Sequence, residues 1–174
     1  IFKKEYDNGR YKIFTPRGVL MNLYHTYNEM PFPDEAYLVM LYCIYNTKTH
    51  ELSYSSAGMN ISPIILDANG NVRTIALEGF PICKFGKYFK PYYETYSIQL
   101  KPGDTMIFYT DGLVDMDRDN SGSSPDNFLV EFVKGMKGMN ADEICNEIID
   151  AYFTFVDRQE MLDDVTVLVV KTNR

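Results

Sequence analysis

The chain contains no tryptophan, two histidines and three cysteines in 174 residues, and it carries fewer cations than anions. Cys43, Cys83 and Cys145 are odd in number, dispersed and set among apolar neighbours. That pattern excludes a disulfide framework and a cysteine-based zinc site, and it reads as small buried hydrophobes in a reducing cytoplasm. His25 and His50 have no cysteine or acidic ligand pattern around them, so neither reads as a metal ligand or a general base. Seventeen Lys and Arg against twenty-four Asp and Glu give a net charge of −7 with no basic cluster, which argues against nucleic acid as a partner and against an anionic membrane surface. No apolar run approaches the roughly 18 residues of a membrane span. The first residues, Ile1 to Tyr6, lack an initiator methionine and the character of a signal peptide, so the sequence is expected to begin inside something larger.

What the chain has in quantity is aromatic side chains, fourteen Tyr and eleven Phe, within a hydrophobic content of 45%. That content is globular, and the aromatic bias favours strands, where flat rings pack on a pleated surface. The length fits one domain or one piece of a domain. Nine methionines, scattered along the chain, read as core filler.

Residues 1–7 read as the end of a helix stopped at Asp7-Asn8-Gly9. Thr15-Pro16 opens a helix, with Thr as N-cap and Pro at the first helical position, and Val19, Leu20, Leu23, Tyr24 and Tyr27 recur on one face until Pro31-Phe32-Pro33. Three hairpins are expected next. The first joins Ala36–Asn46 to Leu52–Ser55, the second joins Ile64–Leu66 to Val72–Leu77 across Asp67-Ala68-Asn69-Gly70-Asn71, and the third joins Tyr93–Leu100 to Thr105–Tyr109 across Lys101-Pro102-Gly103-Asp104. A polar loop over 117–127 precedes a short helix from Asn127 to Lys134, with Asp126 as its cap. A longer helix follows, capped by Asn140 with Glu143 at the capping-box position and a buried stripe of Ile144, Ile148, Ala151, Tyr152 and Phe155. Asp164–Val170 reads as a final buried strand. Antiparallel hairpins with segregated helices describe an α+β layered domain.

Two acidic positions differ from ordinary surface carboxylates. Asp111 stands in Phe108-Tyr109-Thr110-Asp111-Gly112, directly after a strand, and Asp163-Asp164 stands directly before another. Carboxylates at the ends of buried strands lie at a sheet rim, where oxygens from several strands can converge on Mg²⁺ or Mn²⁺. The plainer reading is that Asp111 starts a turn before Gly112 and that Asp163-Asp164 is a solvated loop. Repulsion between the adjacent charges at 163 and 164 would be relieved by a cation, and spacing alone leaves both readings open. The aromatic group Tyr88, Phe89, Tyr92, Tyr93 and Tyr96 is either a partner surface or a half-buried strand.

Taken in order, these blocks resemble a known family. Thr15-Pro16 with its helix, Tyr37 to Asn46, Leu52 to Asn60, Leu100-Lys101-Pro102-Gly103-Asp104, Tyr109-Thr110-Asp111-Gly112 and Asp163-Asp164-Val165-Thr166 resemble the SpoIIE/RsbU type of PP2C-like, metal-dependent Ser/Thr phosphatase domain. The last three match the family's "L-x-P-G-D", "Y-T-D-G" and "D-D-[IV]-T" stretches. The resemblance implies a two-layer β-sandwich flanked by helices and a dinuclear Mn²⁺ or Mg²⁺ centre at one rim. It makes Asp111 a metal ligand, Asp163 another with Asp164 as second choice, and Gly112 the residue that shapes the loop around the metal. It implies no catalytic residue beyond a metal-bound water. It also departs from the family in two places. The "G-G-D" and "G-D-x-x-G-H-G" segments are not in these 174 residues, so the chain is expected to be the C-terminal portion of the domain, without its first strands. Met59 stands where many members have a histidine, in Ala57-Gly58-Met59-Asn60, and it reads as packing.

The resemblance implies dephosphorylation of phosphoserine or phosphothreonine by the intact domain, on a regulatory protein of the anti-sigma-factor-antagonist type in bacterial partner-switching signalling, in the cytoplasm. Two other functions fit the residues: a catalytically inactive pseudophosphatase or interaction module, and a β-rich small-ligand-binding domain. Sheet edges left open by missing strands would favour a homodimer.

Overall fold

The computed structural model describes residues 2–5, 9–84, 91–113, 125–155 and 163–172. These fall into two compact units, the first made of residues 1–60 and 77–99 and the second of residues 61–76 and 100–174. Each unit has its own antiparallel sheet and helix, as the α+β reading expects.

In the first unit, β1 (Lys3–Glu5) pairs antiparallel with β2 (Tyr11–Ile13). This overturns the helix end expected over residues 1–7. Gly9 takes a positive φ of +75°, a conformation that ends a helix and serves a hairpin equally well. Helix α1 (Pro16–Glu29) begins as its sequence indicates, with the Thr15 hydroxyl accepting from Gly18 N–H at 3.2 Å. Its inner face buries Leu20, Tyr24 and Tyr27 against Ala57, Ile82 and Tyr93. Burying each of these large side chains contributes about 1.5–3 kcal/mol.

The same unit contains β3 (Tyr37–Leu38), β4 (Met40–Asn46) and β5 (Glu51–Ala57), the last two forming the expected first hairpin in register from Met40↔Ala57 to Asn46↔Glu51. Its turn places His50 at φ +57°, with Nδ1 2.8 Å from the Tyr45 hydroxyl.

The second unit holds β6 (Ile64–Leu66) and β7 (Val72–Thr74), the second expected hairpin, and its turn is tied by the Asp67 carboxylate. Strand β8 (Ile82–Cys83), back in the first unit, pairs with β3, and β9 (Tyr96–Gln99) pairs with β5. Strand β10 (Thr105–Tyr109) lies in the second unit between β6 and β11 (Val167–Lys171). The expected third hairpin is therefore not formed, because β9 and β10 belong to different sheets. The reason is the turn itself. The Asp104 carboxylate accepts from Lys101 N–H at 2.9 Å and from Ala68 N–H at 3.3 Å, and Thr172 binds the carbonyls of Lys101 and Asp104. Residues 101–104 are thereby fastened to the β6 and β11 ends of the second unit, not folded back along β9.

Helix α2 (Pro125–Lys134) packs on β6 and β7, and α3 (Ala141–Phe155) packs on β11. Asp126 lies inside α2 and is not its cap. The capping box of α3 forms as read: Asn140 Oδ1 accepts from Glu143 N–H at 2.9 Å, and the Glu143 carboxylate accepts from Asn140 N–H at 2.7 Å. Ile144, Ile148 and Tyr152 face the core, while Ala151 is half-buried. The Phe155 side chain, most of the polar loop over 117–127, Asp7-Asn8 and the pair Tyr88-Phe89 lie outside the described residues. Strand β11 starts at Val167, later than expected, and its Leu168 is exposed, so it is half-buried. No helix among the described residues is long and apolar enough to cross a membrane.

Candidate metal centre

The candidate centre is built by the register of one strand pair. Strand β10 is the inner strand, with Met106 and Ile107 fully buried, and it runs antiparallel to β11 with Tyr109 opposite Val167. Continuing that register past the ends of both strands sets residue 110 opposite 166 and residue 112 opposite 164. The hydrogen bonds follow this pattern: Thr110 N–H donates to the Thr166 carbonyl at 3.2 Å, and Thr166 N–H donates to the Thr110 hydroxyl at 2.9 Å. The Thr110 hydroxyl in turn donates to the Asp164 carbonyl at 3.1 Å.

Asp111, Gly112 and Leu113 then form a single tight turn, closed by Leu113 N–H donating to the Thr110 carbonyl at 3.1 Å. Gly112 is buried against the Asp164 carbonyl, and Leu113 is buried in the core, which leaves Asp111 exposed. Asp163 and Asp164 are likewise exposed, and Asp163 Oδ1 accepts from Asp164 N–H at 2.7 Å. The backbone stretches that carry Asp111 and the 163–164 pair thus meet at one rim of the second unit. One residue, Thr110, separates β10 from Asp111, and two residues, Val165 and Thr166, separate β11 from the pair.

These donors are hard carboxylate oxygens, which suit Mg²⁺ and Mn²⁺ far better than softer metals. Among the described residues, no group of three or more His, Cys, Asp or Glu side chains converges on a point. Asp111 and Asp163 therefore fit one edge of a cation site by their chemistry and do not complete its coordination by themselves.

The other singled-out residues are elsewhere. His25 is exposed on α1 beside Tyr24, and Met59 is half-buried with its N–H donating to the Ser56 hydroxyl at 3.2 Å. Tyr93 is buried in the first unit's core, Tyr92 is exposed beside Arg17, and Tyr96 in β9 donates to Glu78 at 2.9 Å. The aromatic run thus divides between core and surface.

The sequence reading missed two features of the second unit. The carboxylate of Asp104 is buried as a structural acceptor, which the turn motif alone did not reveal. A concavity of about 540 Å³ lies at the end of β10 opposite Asp111, lined by Leu66, Asp67, Thr105, Asn140 and Lys171 among others. It is assembled from four separate segments, so no local motif marks it.

Structural neighbours share this fold. The phosphatase domain of the cell fate determinant SpoIIE from Bacillus subtilis, in manganese-presoaked form, superposes with a TM-score of 0.61 at 17% identity, covering 99% of this chain and 83% of that one. The SiaA PP2C domain of Pseudomonas aeruginosa matches with a TM-score of 0.73 at 16% identity, over 90% of this chain and 61% of that one. The RsbU and RsbW domains of a Mycobacterium tuberculosis protein match with a TM-score of 0.71 at 20% identity, over 92% of this chain and 42% of that one. At such identities the likeness speaks for a PP2C-like fold. No curated protein matches by sequence. The sequence model described as stage II sporulation protein E (SpoIIE) matches residues 5–173, nearly the whole length, and the chain belongs to that family.

Proposed function

We propose that the intact domain removes phosphate from phosphoserine or phosphothreonine on a regulatory protein, with Mn²⁺ or Mg²⁺ held in part by Asp111 and Asp163. The observation that carries this reading is the meeting of the Asp111 turn with the Asp163-Asp164 segment at one rim of the second unit. Membership in the SpoIIE family and the PP2C-like fold support it.

In this reading Asp111 and Asp163 are the ligands, with Asp164 the second choice, a ranking that rests on the family motif. Divalent ions at a PP2C-type site supply a hydroxide nucleophile near neutral pH and offset charge on the phosphoryl oxygens. The chain's own residues orient and exclude. Leu113 anchors the turn in the core, so that Asp111 points outward from a fixed base, and Gly112 keeps the loop thin where it crosses Asp164. The reading needs no side-chain nucleophile. The remaining ligands belong to the intact domain. Its substrate is a small phosphorylated regulator of the anti-sigma-factor-antagonist type and its setting is the cytoplasm, while the chain without the first strands would pair through its open sheet edges as a homodimer.

The test is manganese-dependent release of phosphate from a phosphoserine protein, compared between the wild type and Asp111→Ala. A loss of at least about a hundredfold in turnover is expected, several kcal/mol of transition-state stabilisation. Unchanged turnover in the variant removes Asp111 from the mechanism. A second reading, the inactive interaction module, draws on the absence of a three-ligand cluster among the described residues. It is favoured if the intact domain binds the phosphoprotein and releases nothing at any manganese concentration.

A further inference from the structure

We propose that Thr110 is a positioning residue: its side chain and backbone together lock the Asp111 turn to the Asp163-Asp164 segment and so set the geometry in which the two carboxylates can share a cation. The inference rests on the metal-site reading above and deepens it.

Thr110 is the residue through which the two segments are joined. Its hydroxyl works in both directions, accepting from Thr166 N–H at 2.9 Å and donating to the Asp164 carbonyl at 3.1 Å. Its N–H donates to the Thr166 carbonyl at 3.2 Å, and its own carbonyl accepts from Leu113 N–H at 3.1 Å, closing the turn that presents Asp111. One residue thus holds Asp164 and Thr166 on one side and the Asp111–Leu113 turn on the other. Asp163 is tied to the same residue, because its Oδ1 accepts from the Asp164 N–H at 2.7 Å.

The choice of threonine has a physical reason. Neither partner segment is regular strand at this point, since β10 has ended at Tyr109 and β11 begins only at Val167. Sheet hydrogen bonds alone would let the ends fray, and a side-chain hydroxyl that both donates and accepts replaces the missing ladder rungs. Branching at Cβ restricts χ1 and reduces the entropy lost in holding that hydroxyl in place. Valine would match the shape without the hydrogen bonds, while serine would retain them without the methyl.

The experiment is Mn²⁺ titration by calorimetry of the intact domain carrying Thr110→Val or Thr110→Ser, beside the wild-type domain, with metal-free thermal unfolding recorded for each. Outer-shell groups that orient ligands typically govern affinity by ten- to a hundredfold. Thr110→Val is expected to weaken Mn²⁺ binding at least about tenfold per folded molecule, and Thr110→Ser to remain within about threefold of the wild type. A purely structural role would lower the unfolding temperature and leave the affinity of the folded fraction unchanged, and that result overturns the proposal. If Thr110→Val does not fold, Thr110→Ala removes the same hydroxyl in a smaller side chain and is compared by the same criterion. Wild type that takes up no Mn²⁺ overturns the metal reading itself, and this inference with it. Wild type that binds while Thr110→Val binds equally well overturns this inference alone.

Discussion

A Cβ placed on Gly112 would stand 2.6 Å from the carbonyl oxygen of Asp164 and 3.1 Å from its carbonyl carbon. Both atoms are backbone, so neither can swing aside. Gly112→Ala is expected to destabilise the protein by about 1–3 kcal/mol, the usual scale of overpacking. Gly135→Ala is the control, because its new Cβ would meet only the Phe132 carbonyl at an ordinary 3.5 Å. Urea unfolding should place the control within about 0.5 kcal/mol of the wild type, and equal losses for both would mean that the Asp111 and Asp164 segments are not in contact.

Asp104 and Thr172 tie the opposite end of β10. The Asp104 carboxylate serves two backbone donors, Lys101 N–H and Ala68 N–H, and its own backbone is bound twice by Thr172. Asp104→Ala leaves both donors without their acceptor and should cost about 2–4 kcal/mol. Asp104→Asn keeps one acceptor oxygen and should lose less. Equal stability of Asp104→Ala and wild type in denaturant would show that the corner is held by other contacts.

The hairpin turn at Asp67 has a defined pH response. The Asn71 side chain, followed by the Asn71 backbone N–H, holds the Asp67 carboxyl below its ordinary 3.8. A folded value below the unfolded one means that the turn's contribution is fully present above pH 3.8 and is lost as pH falls through the depressed value. Carbon-detected titration of the Asp67 carboxyl should give a midpoint below 3.8, and Asn71→Ala should move it upward. A wild-type midpoint at or above the ordinary value would show that these hydrogen bonds do not form in solution.

Burial pushes the Cys43 thiol up to about 12. At pH 8 about one molecule in ten thousand would then carry the thiolate, which is the reactive form. Cys43 should resist alkylation in the folded protein at pH 8 and react fully in denaturant, as mass spectrometry of the peptide spanning Met40–Asn46 would show. Rapid labelling of the folded protein would contradict its place in the sheet.

Much of this fold is legible in local chemistry. Thr15 at the start of α1 and the Asn140 and Glu143 pair at the start of α3 announce helix ends by hydrogen bonds to neighbours three residues away. Turns do so less uniquely. Gly9 marks a chain reversal, yet its positive φ does not say whether a helix or a strand comes before it. Lys101 to Asp104 is likewise a true turn, but only Ala68 and Thr172, distant in sequence, show that β9 and β10 part there. At the candidate centre, motif order brings Asp111 and Asp163 to notice, while the reason the backbone segments that carry them meet is the register of Tyr109 against Val167. Register is a relation between strands far apart in the chain, and no single segment carries it. The concavity beside Asn140 and Lys171 escaped for the same reason.

The account depends on Asp111 and Asp163 serving one divalent cation, and paramagnetic broadening by Mn²⁺ tests that directly. On addition of Mn²⁺ to the intact domain, the amide signals of residues 111–113 and 163–166 should vanish together. Those of Ala68 and Gly138, by the concavity at the other end of β10 and about 20 Å along the strand from Asp111, should persist. Asp111→Asn should abolish the effect at both segments. Broadening at only one of the two segments, or at the far concavity instead, would contradict a shared cation and with it the proposed phosphatase centre.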